Sequence, residues 1–168
     1  HHPLAELTRY ALRTVAFGWR RPDWFGALKT GLVAGAEAEI ARLENTALAQ
    51  GWEGNTWLKP LAITGANAAA SAASEQLRQK LVPPFQTLAT QTAAPLSGTQ
   101  LATALREFWR TLNVEKTLTQ WSDAAAQSAA GNHQPAIHGT VLDQLTNWLA
   151  NLARAFPTET FSLREWLP

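Results

Sequence analysis

Apolar residues recur at three- and four-residue intervals along most of the chain, the spacing that puts them on one side of a 3.6-residue helix. Leu4, Leu7, Ala11, Leu12 and Val15 open the series with Arg9 and Arg13 on another face, and Phe17-Gly18 close this first helix. Pro22 suits a first turn, Asp23 adds favourable negative charge there, and Trp24, Phe25 and Leu28 predict a short second helix that Gly31 can stop. A third helix is predicted within Ala36 to Gln50, where Ile40, Leu43, Ala47 and Leu48 share one stripe and Gly51 stands at the left-handed cap.

Periodicity then lapses. Residues 51–65 hold three Gly, two Trp and a Pro, which predicts an ordered loop pinned by Trp52 and Trp57. The Ala-rich stretch Ala66 to Ala73 can bury little area and is expected to be the most mobile part. Leu77, Leu81 and Val82 end one helix, Pro83-Pro84 are expected to break it, and Phe85 with Leu88 begin another that decays into Thr90 to Gly98. Thr99 is placed to cap a helix striped by Leu101, Leu105, Phe108, Trp109 and Leu112. Asn113 can cap the next, carrying Val114, Leu118, Trp121 and Ala125 up to Gly131-Asn132, and the short turn predicts two antiparallel neighbours. The longest helix comes last, with Ile137, Val141, Leu145, Trp148, Leu149, Leu152 and Phe156 on a wide apolar face and Pro157 closing it. Ser162 and Glu165 have capping-box spacing, with Phe161 and Trp166 placed as a hydrophobic staple, so residues 163–168 are expected to start a further helix.

Composition agrees with this pattern: 31 Ala and 23 Leu stand against 5 Val and 3 Ile, and the first pair suits helices while β-branched residues suit a pleat. The expected fold class is all-α, an irregular bundle of about seven to eight helices with one ordered Trp/Gly-containing loop. At 168 residues one core and one domain, 1–168, suffice. The chain lacks methionine and stops where a helix should begin, so it is expected to be a fragment of a longer protein, with His1 and His2 set aside as a possible tag remnant.

The charge balance of +1 gives no chain-wide field for nucleic acid or membrane, and no apolar run is long enough to span a bilayer. Without cysteine there is no thiolate metal site, iron-sulfur cluster or cysteine nucleophile. No Gly-x-x-x-x-Gly-Lys-Ser/Thr string is present to cradle phosphates, and Lys29-Thr30 lacks the glycine loop that would precede it. His133 and His138 are five apart, which does not stack two ligands on one helical face, and Glu37 and Glu39 point to different faces. No catalytic, cofactor-binding or metal-binding residue is therefore assigned. What remains is local. The first thirty residues carry Arg9, Arg13, Arg20, Arg21 and Lys29 against Glu6 and Asp23, beside Trp19, Trp24 and Phe25. Arg20, Arg21, Lys29 and Lys59 are candidate phosphate contacts, with Trp57 a candidate stacking surface for a base; the bland alternative is solvated charges flanking core aromatics. Trp109, Trp121 and Trp148 fall on apolar stripes and are expected in the core.

The order of these segments resembles a stretch of the B subunit of AddAB/RexAB-type ATP-dependent helicase-nucleases. The likeness rests on Tyr10 to Trp19, on the run Trp24 to Leu32 with its Leu28-Lys29-Thr30-Gly31-Leu32 string, on Leu43-Glu44-Asn45, and on Gly51 with Gly54-Asn55-Thr56-Trp57. It continues through Phe108-Trp109, Leu112-Asn113-Val114, Leu118 to Trp121, Val141 to Leu145 and Phe161-Ser162-Leu163. Thr46 departs from the tyrosine frequent in that family, and the Ala-rich Ala124 to Ala130 from its acidic residues. The resemblance implies a non-catalytic helical accessory domain of the 2B type, with motor, nuclease and iron-sulfur residues lying outside the chain. It also implies a cytoplasmic parent that uses ATP and Mg, pairs with an A subunit, and processes double-strand DNA ends for recombinational repair. Within that parent the segment would guide double-stranded DNA or brace the motor and nuclease domains. The alternative is a stand-alone helical protein-interaction module anchored by its loop tryptophans.

Overall fold

The computed structural model describes residues 2–62, 68–128 and 136–167. Within them the expected helices form: α1 Pro3–Ala16, α2 Arg21–Leu28, α3 Glu37–Gln50, α4 Ala68–Gln91, α5 Gly98–Thr111, α6 Val114–Ser128 and α7 Ala136–Ala155. As the pattern predicts, α2 takes Pro22 in its first turn and α3 ends on Gly51 at φ 65°; α1 also carries a proline, Pro3, in its first turn. A 3-10 turn, Gly54–Leu58, lies inside the Trp/Gly loop. The sequence pattern does not show one feature, a two-residue antiparallel ladder in which β1 (Leu96–Ser97) pairs with β2 (Thr160–Phe161). Two residues carry too little alternation to be read as a strand.

An aromatic spine fills the core. Trp24 lies 4.9 Å from Trp19, 4.8 Å from Phe85 and 5.7 Å from Trp57, and Phe85 meets Phe108 edge-on at 5.0 Å. These contacts tie α2, the 3-10 turn, α4 and α5 to one centre, and such ring pairs add roughly 0.5–1.5 kcal/mol each beyond area burial. Trp109 is buried and donates from Nε1 to Thr8 Oγ1 at 3.1 Å, joining α5 to α1.

Four expectations are corrected. Pro83-Pro84 do not break the helix, which runs from Ala68 to Gln91. The carbonyls left without donors, four residues back at Gln79 and Lys80, sit at exposed positions where water can serve them, and Leu81, Val82, Phe85 and Leu88 are fully buried around the prolines. Their burial, about 1.5–3 kcal/mol each, offsets the roughly 3 kcal/mol cost of an interior proline. The cap of α5 is Ser97 rather than Thr99: Ser97 accepts from the Gln100 amide while Gln100 Oε1 accepts from the Ser97 amide. Asn113 does not open α6 as a side-chain cap but turns the chain in the left-handed region at φ 54°. Trp148 is 44% exposed, because α7 packs on α5 and α6 through Leu149, Leu145, Leu142 and Leu152, so the far side of its wide stripe, Ile137 and Trp148, faces outward. Trp121 is half-buried against the core. The expectations for Gly131-Asn132 and His133 lie outside the described residues, as does part of the Ala66 to Ala73 stretch at the start of α4.

At the chain's end the capping-box and staple contacts form, the Ser162 amide donating to Glu165 at 2.8 Å and Phe161 meeting Trp166 at 5.1 Å, but residues 163–166 make a turn and not the start of the expected helix. His2, set aside on sequence, accepts from the Leu4 amide at the start of α1 and shares a 2.9 Å contact with His138.

Glu75 and Arg78 form a largely enclosed pair beside the 3-10 turn, with Arg78 also donating to the Trp57 carbonyl. Hydrogen bonds from Arg78, from the Leu61 amide and from Gln79 hold the Glu75 carboxyl down at about 2. A carboxyl lowered on folding stabilises above its unfolded value near 4.5 and loses that contribution as pH falls towards 2. Glu75→Gln should therefore lower stability at pH 7 by roughly 1–2 kcal/mol after allowance for screening, and flatten the acid-unfolding curve between about pH 4.5 and 2. Circular dichroism against pH checks this; parallel curves for both proteins would refute it.

Candidate nucleic-acid interface

The residues nominated as phosphate contacts differ in exposure and in pairing. Lys29 caps α2 at its C-terminal end and its Nζ lies 2.6 Å from Glu44 on α3, so its charge is answered within the fold. Arg21 is half-buried; its amide donates to Glu53 Oε1 at 3.4 Å, and its Nε is enclosed with no partner. Lys59 is exposed beyond the 3-10 turn. Trp57 is fully enclosed, 5.7 Å from Phe25 and 5.9 Å from Trp52, so neither ring face is open to a base. The stacking expectation is thereby corrected. A loop tryptophan without periodicity carries no burial signal in the sequence, and here it is the plug that closes the loop over α2 and α4.

Arg20 is exposed and joins a cluster that sequence proximity only half reveals. The guanidinium carbons of Arg13, Arg20 and Arg164 lie 5.2, 5.6 and 5.7 Å from the Phe17 ring centroid. Each arrives by a different route. Arg13 projects from the last turn of α1, one helical turn before Phe17. Arg20 follows the tight Gly18-Trp19 reversal, both residues at positive φ, which carries the chain from α1 into α2. Arg164 comes from the far end of the chain, held by the β1–β2 pairing and by buried Leu163.

Physical chemistry explains why cations collect here. The α1 C-terminus presents the negative end of its dipole, and the Arg164 Nε donates to the Ala16 carbonyl at 3.0 Å, satisfying one of the helix's last acceptors. The Phe17 ring face adds quadrupole attraction. Arg13 is neutralised by Asp23, buried at 2.7 Å. Arg20 and Arg164 keep exposed guanidiniums with no ion pair among the described residues, and Arg164 retains four N–H donors besides the one it uses. Two open forks beside a ring suit oxyanions such as backbone phosphates. Arg13 was legible from its spacing to Phe17, whereas nothing local marks Arg164, whose partners are some 148 residues away.

Among the described residues no group of three or more His, Asp or Glu is placed to hold a metal ion, and no helix is long and apolar enough to cross a membrane. The sequence has no cysteine to ligate an iron-sulfur cluster and no Gly-x-x-x-x-Gly-Lys-Ser/Thr string.

No family model matches the chain. It is 30% identical over 172 residues to the B subunit of the ATP-dependent helicase/deoxyribonuclease of Lysinibacillus sphaericus, covering 86% of this chain and 15% of that protein. The like-named protein of Geobacillus thermodenitrificans is 30% identical over 190 residues, covering 96% of this chain and 16% of its own length. A shorter, stronger likeness, 45% over 60 residues, links the chain to the corresponding protein of Desulforudis audaxviator. The chain is related over most of its length to the B subunits of helicase/deoxyribonucleases. It spans about 15–16% of the length of the first two of these relatives.

Proposed function

We propose that this segment of a helicase/deoxyribonuclease B subunit is a non-catalytic helical accessory unit that holds double-stranded DNA by its backbone while other parts of the protein, with a partner A subunit, use ATP and Mg to process double-strand ends. The observation that carries the reading is the pair of open guanidiniums, Arg20 and Arg164, beside Phe17. Phosphate contacts fix position without reading sequence, so the unit would guide DNA rather than select a site on it.

Binding to a short duplex should be weak and fall steeply with salt. Arg20→Ala together with Arg164→Ala should lower the slope of log affinity against log salt by about 2, near 0.9 for each phosphate no longer neutralised. A fluorescence-anisotropy titration across salt concentrations reads this directly. An unchanged slope would overturn the DNA reading and leave inter-domain bracing, which the uncovered Ile137 and Trp148 of α7, 49% and 44% exposed, favour.

A further inference from the structure

Where α5 turns into α6, a groove of about 830 Å³ opens between those helices and α7. The left-handed φ of 54° at Asn113 makes the elbow tight and brings the end of α5 against the first turn of α6. Three exposed cations, Arg106, Arg110 and Lys116, stand on the walls. Arg106 and Lys116 make no ion pair among the described residues, and Arg110, 78% exposed, has only a loose 3.8 Å approach to Glu107. Val114, Glu115 and Lys116 are the first turn of α6 and part of the lining, so the amides that a helix leaves without internal acceptors add the positive end of its dipole to those cations.

Recognition in this groove falls to its polar walls, because Val114 and Trp109 at the base are core residues, 1% and 6% exposed, with no face to stack on. Arg106 and Arg110 are four residues apart on α5, about 6 Å along its axis. Alternate residues of an extended peptide lie about 6.6 Å apart with their side chains on one side, so carboxylates at positions i and i+2 can each meet one guanidinium. The remaining lining chooses between polyanions. Glu115 and Asp143 stand among the cations, with the exposed neutral side chains of Asn113, Gln120 and Thr146 beside them. A nucleic-acid strand carries a negative charge at every nucleotide and is pressed against both carboxylates. A peptide is acidic only where its sequence makes it so, and its backbone amides can donate to Glu115 and Asp143 and pair with the neutral groups.

We propose that the groove at the α5–α6 elbow docks a short extended segment of another polypeptide that is acidic at alternate positions, Arg106 and Arg110 pairing two of its carboxylates and Lys116 a third. The assignment is independent of the duplex contact at Phe17, because it uses different residues and a different class of ligand.

The test is an anisotropy titration of the 168-residue chain with a labelled peptide in which aspartate alternates with serine. A peptide of the same composition with its aspartates in one block, and an oligo(dT) strand of equal charge, are titrated beside it. The alternating peptide should bind roughly fivefold more tightly than either. Arg106→Gln with Arg110→Gln should weaken it about tenfold at low salt, and Glu115→Gln, which removes a like charge from the wall, should strengthen it about twofold. No binding of the alternating peptide, equal or tighter binding of the blocked peptide or of oligo(dT), or an affinity that the double variant leaves unchanged would overturn the proposal. If the double variant fails to fold by circular dichroism, amine acylation of the unaltered chain decides: the alternating peptide should protect Lys116 but not exposed Lys59, and uniform labelling would overturn it.

Discussion

Replacing Trp57 with alanine should destabilise the chain by about 3–5 kcal/mol, the range for emptying a large aromatic site in a packed core. Trp57 is fully enclosed and stands within 6 Å of the rings of Trp24, Phe25 and Trp52. Its carbonyl also receives Arg78. Removing the indole opens a hole that no single neighbour can refill, because the surrounding rings are fixed by their own edge-on contacts and by the backbone of α2 and the 3-10 turn. A marginally stable domain holds roughly 5–15 kcal/mol in total, so about a fifth or more of it is at stake. Trp57→Phe should lose clearly less: it keeps most of the ring and removes the Nε1 donor that is buried without a partner. Trp148→Ala, at a 44% exposed position, should stay within about 0.5 kcal/mol. Urea midpoints for the three variants give the ordering. A Trp57→Ala protein as stable as Trp148→Ala would mean that the aromatic spine is not the centre of the fold.

That contrast shows where a one-dimensional pattern stops being informative. Helix positions were legible because 3.6-residue periodicity and chain-stop residues act locally: Gly51, Pro157 and Pro22 each work within one turn. Trp148 and Trp57 were misplaced for a shared reason. A wide stripe does not say which half of it meets a neighbour, and a tryptophan in an aperiodic loop gives no sign of whether it turns inward. Pro83-Pro84 passed inside a helix because tertiary burial of Leu81, Val82, Phe85 and Leu88 outweighs a local penalty that sequence alone sees in full. The candidate site was half legible. Arg13, Phe17 and Arg20 stand three and four residues apart, but Arg164 reaches them only through the two-residue β1–β2 ladder, whose pairing of Leu96 with Phe161 is a long-range event.

Gly98→Ala tests whether that closure is as tight as it looks, and it should be the most disruptive glycine-to-alanine change among the described residues. A Cβ at position 98 would sit 2.3 Å from the Leu152 carbonyl oxygen and 3.0 Å from that of Phe156, both backbone atoms at the end of α7. Neither can rotate away. The Gly98 amide also donates to the Phe156 carbonyl at 2.8 Å, so the methyl enters where the two segments are already drawn together. Relief requires sliding α5 off α7 or pulling apart the β1–β2 ladder that follows Phe156. Overpacking of this kind costs about 1–3 kcal/mol and can exceed it where backbone must move. Gly139→Ala is the matched control: it lies within α7 with nothing inside 4 Å of the added carbon, so it should stabilise by about 0.5–1 kcal/mol through helix propensity. The two substitutions add the same atom with opposite expected signs, so thermal melts of the pair separate packing at the α5–α7 contact from intrinsic helix preference. Should Gly98→Ala also shift the salt slope of DNA binding, the ladder that holds Arg164 beside Phe17 is the shared link; if stability falls while the slope holds, Arg164 keeps its place through its bond to Ala16.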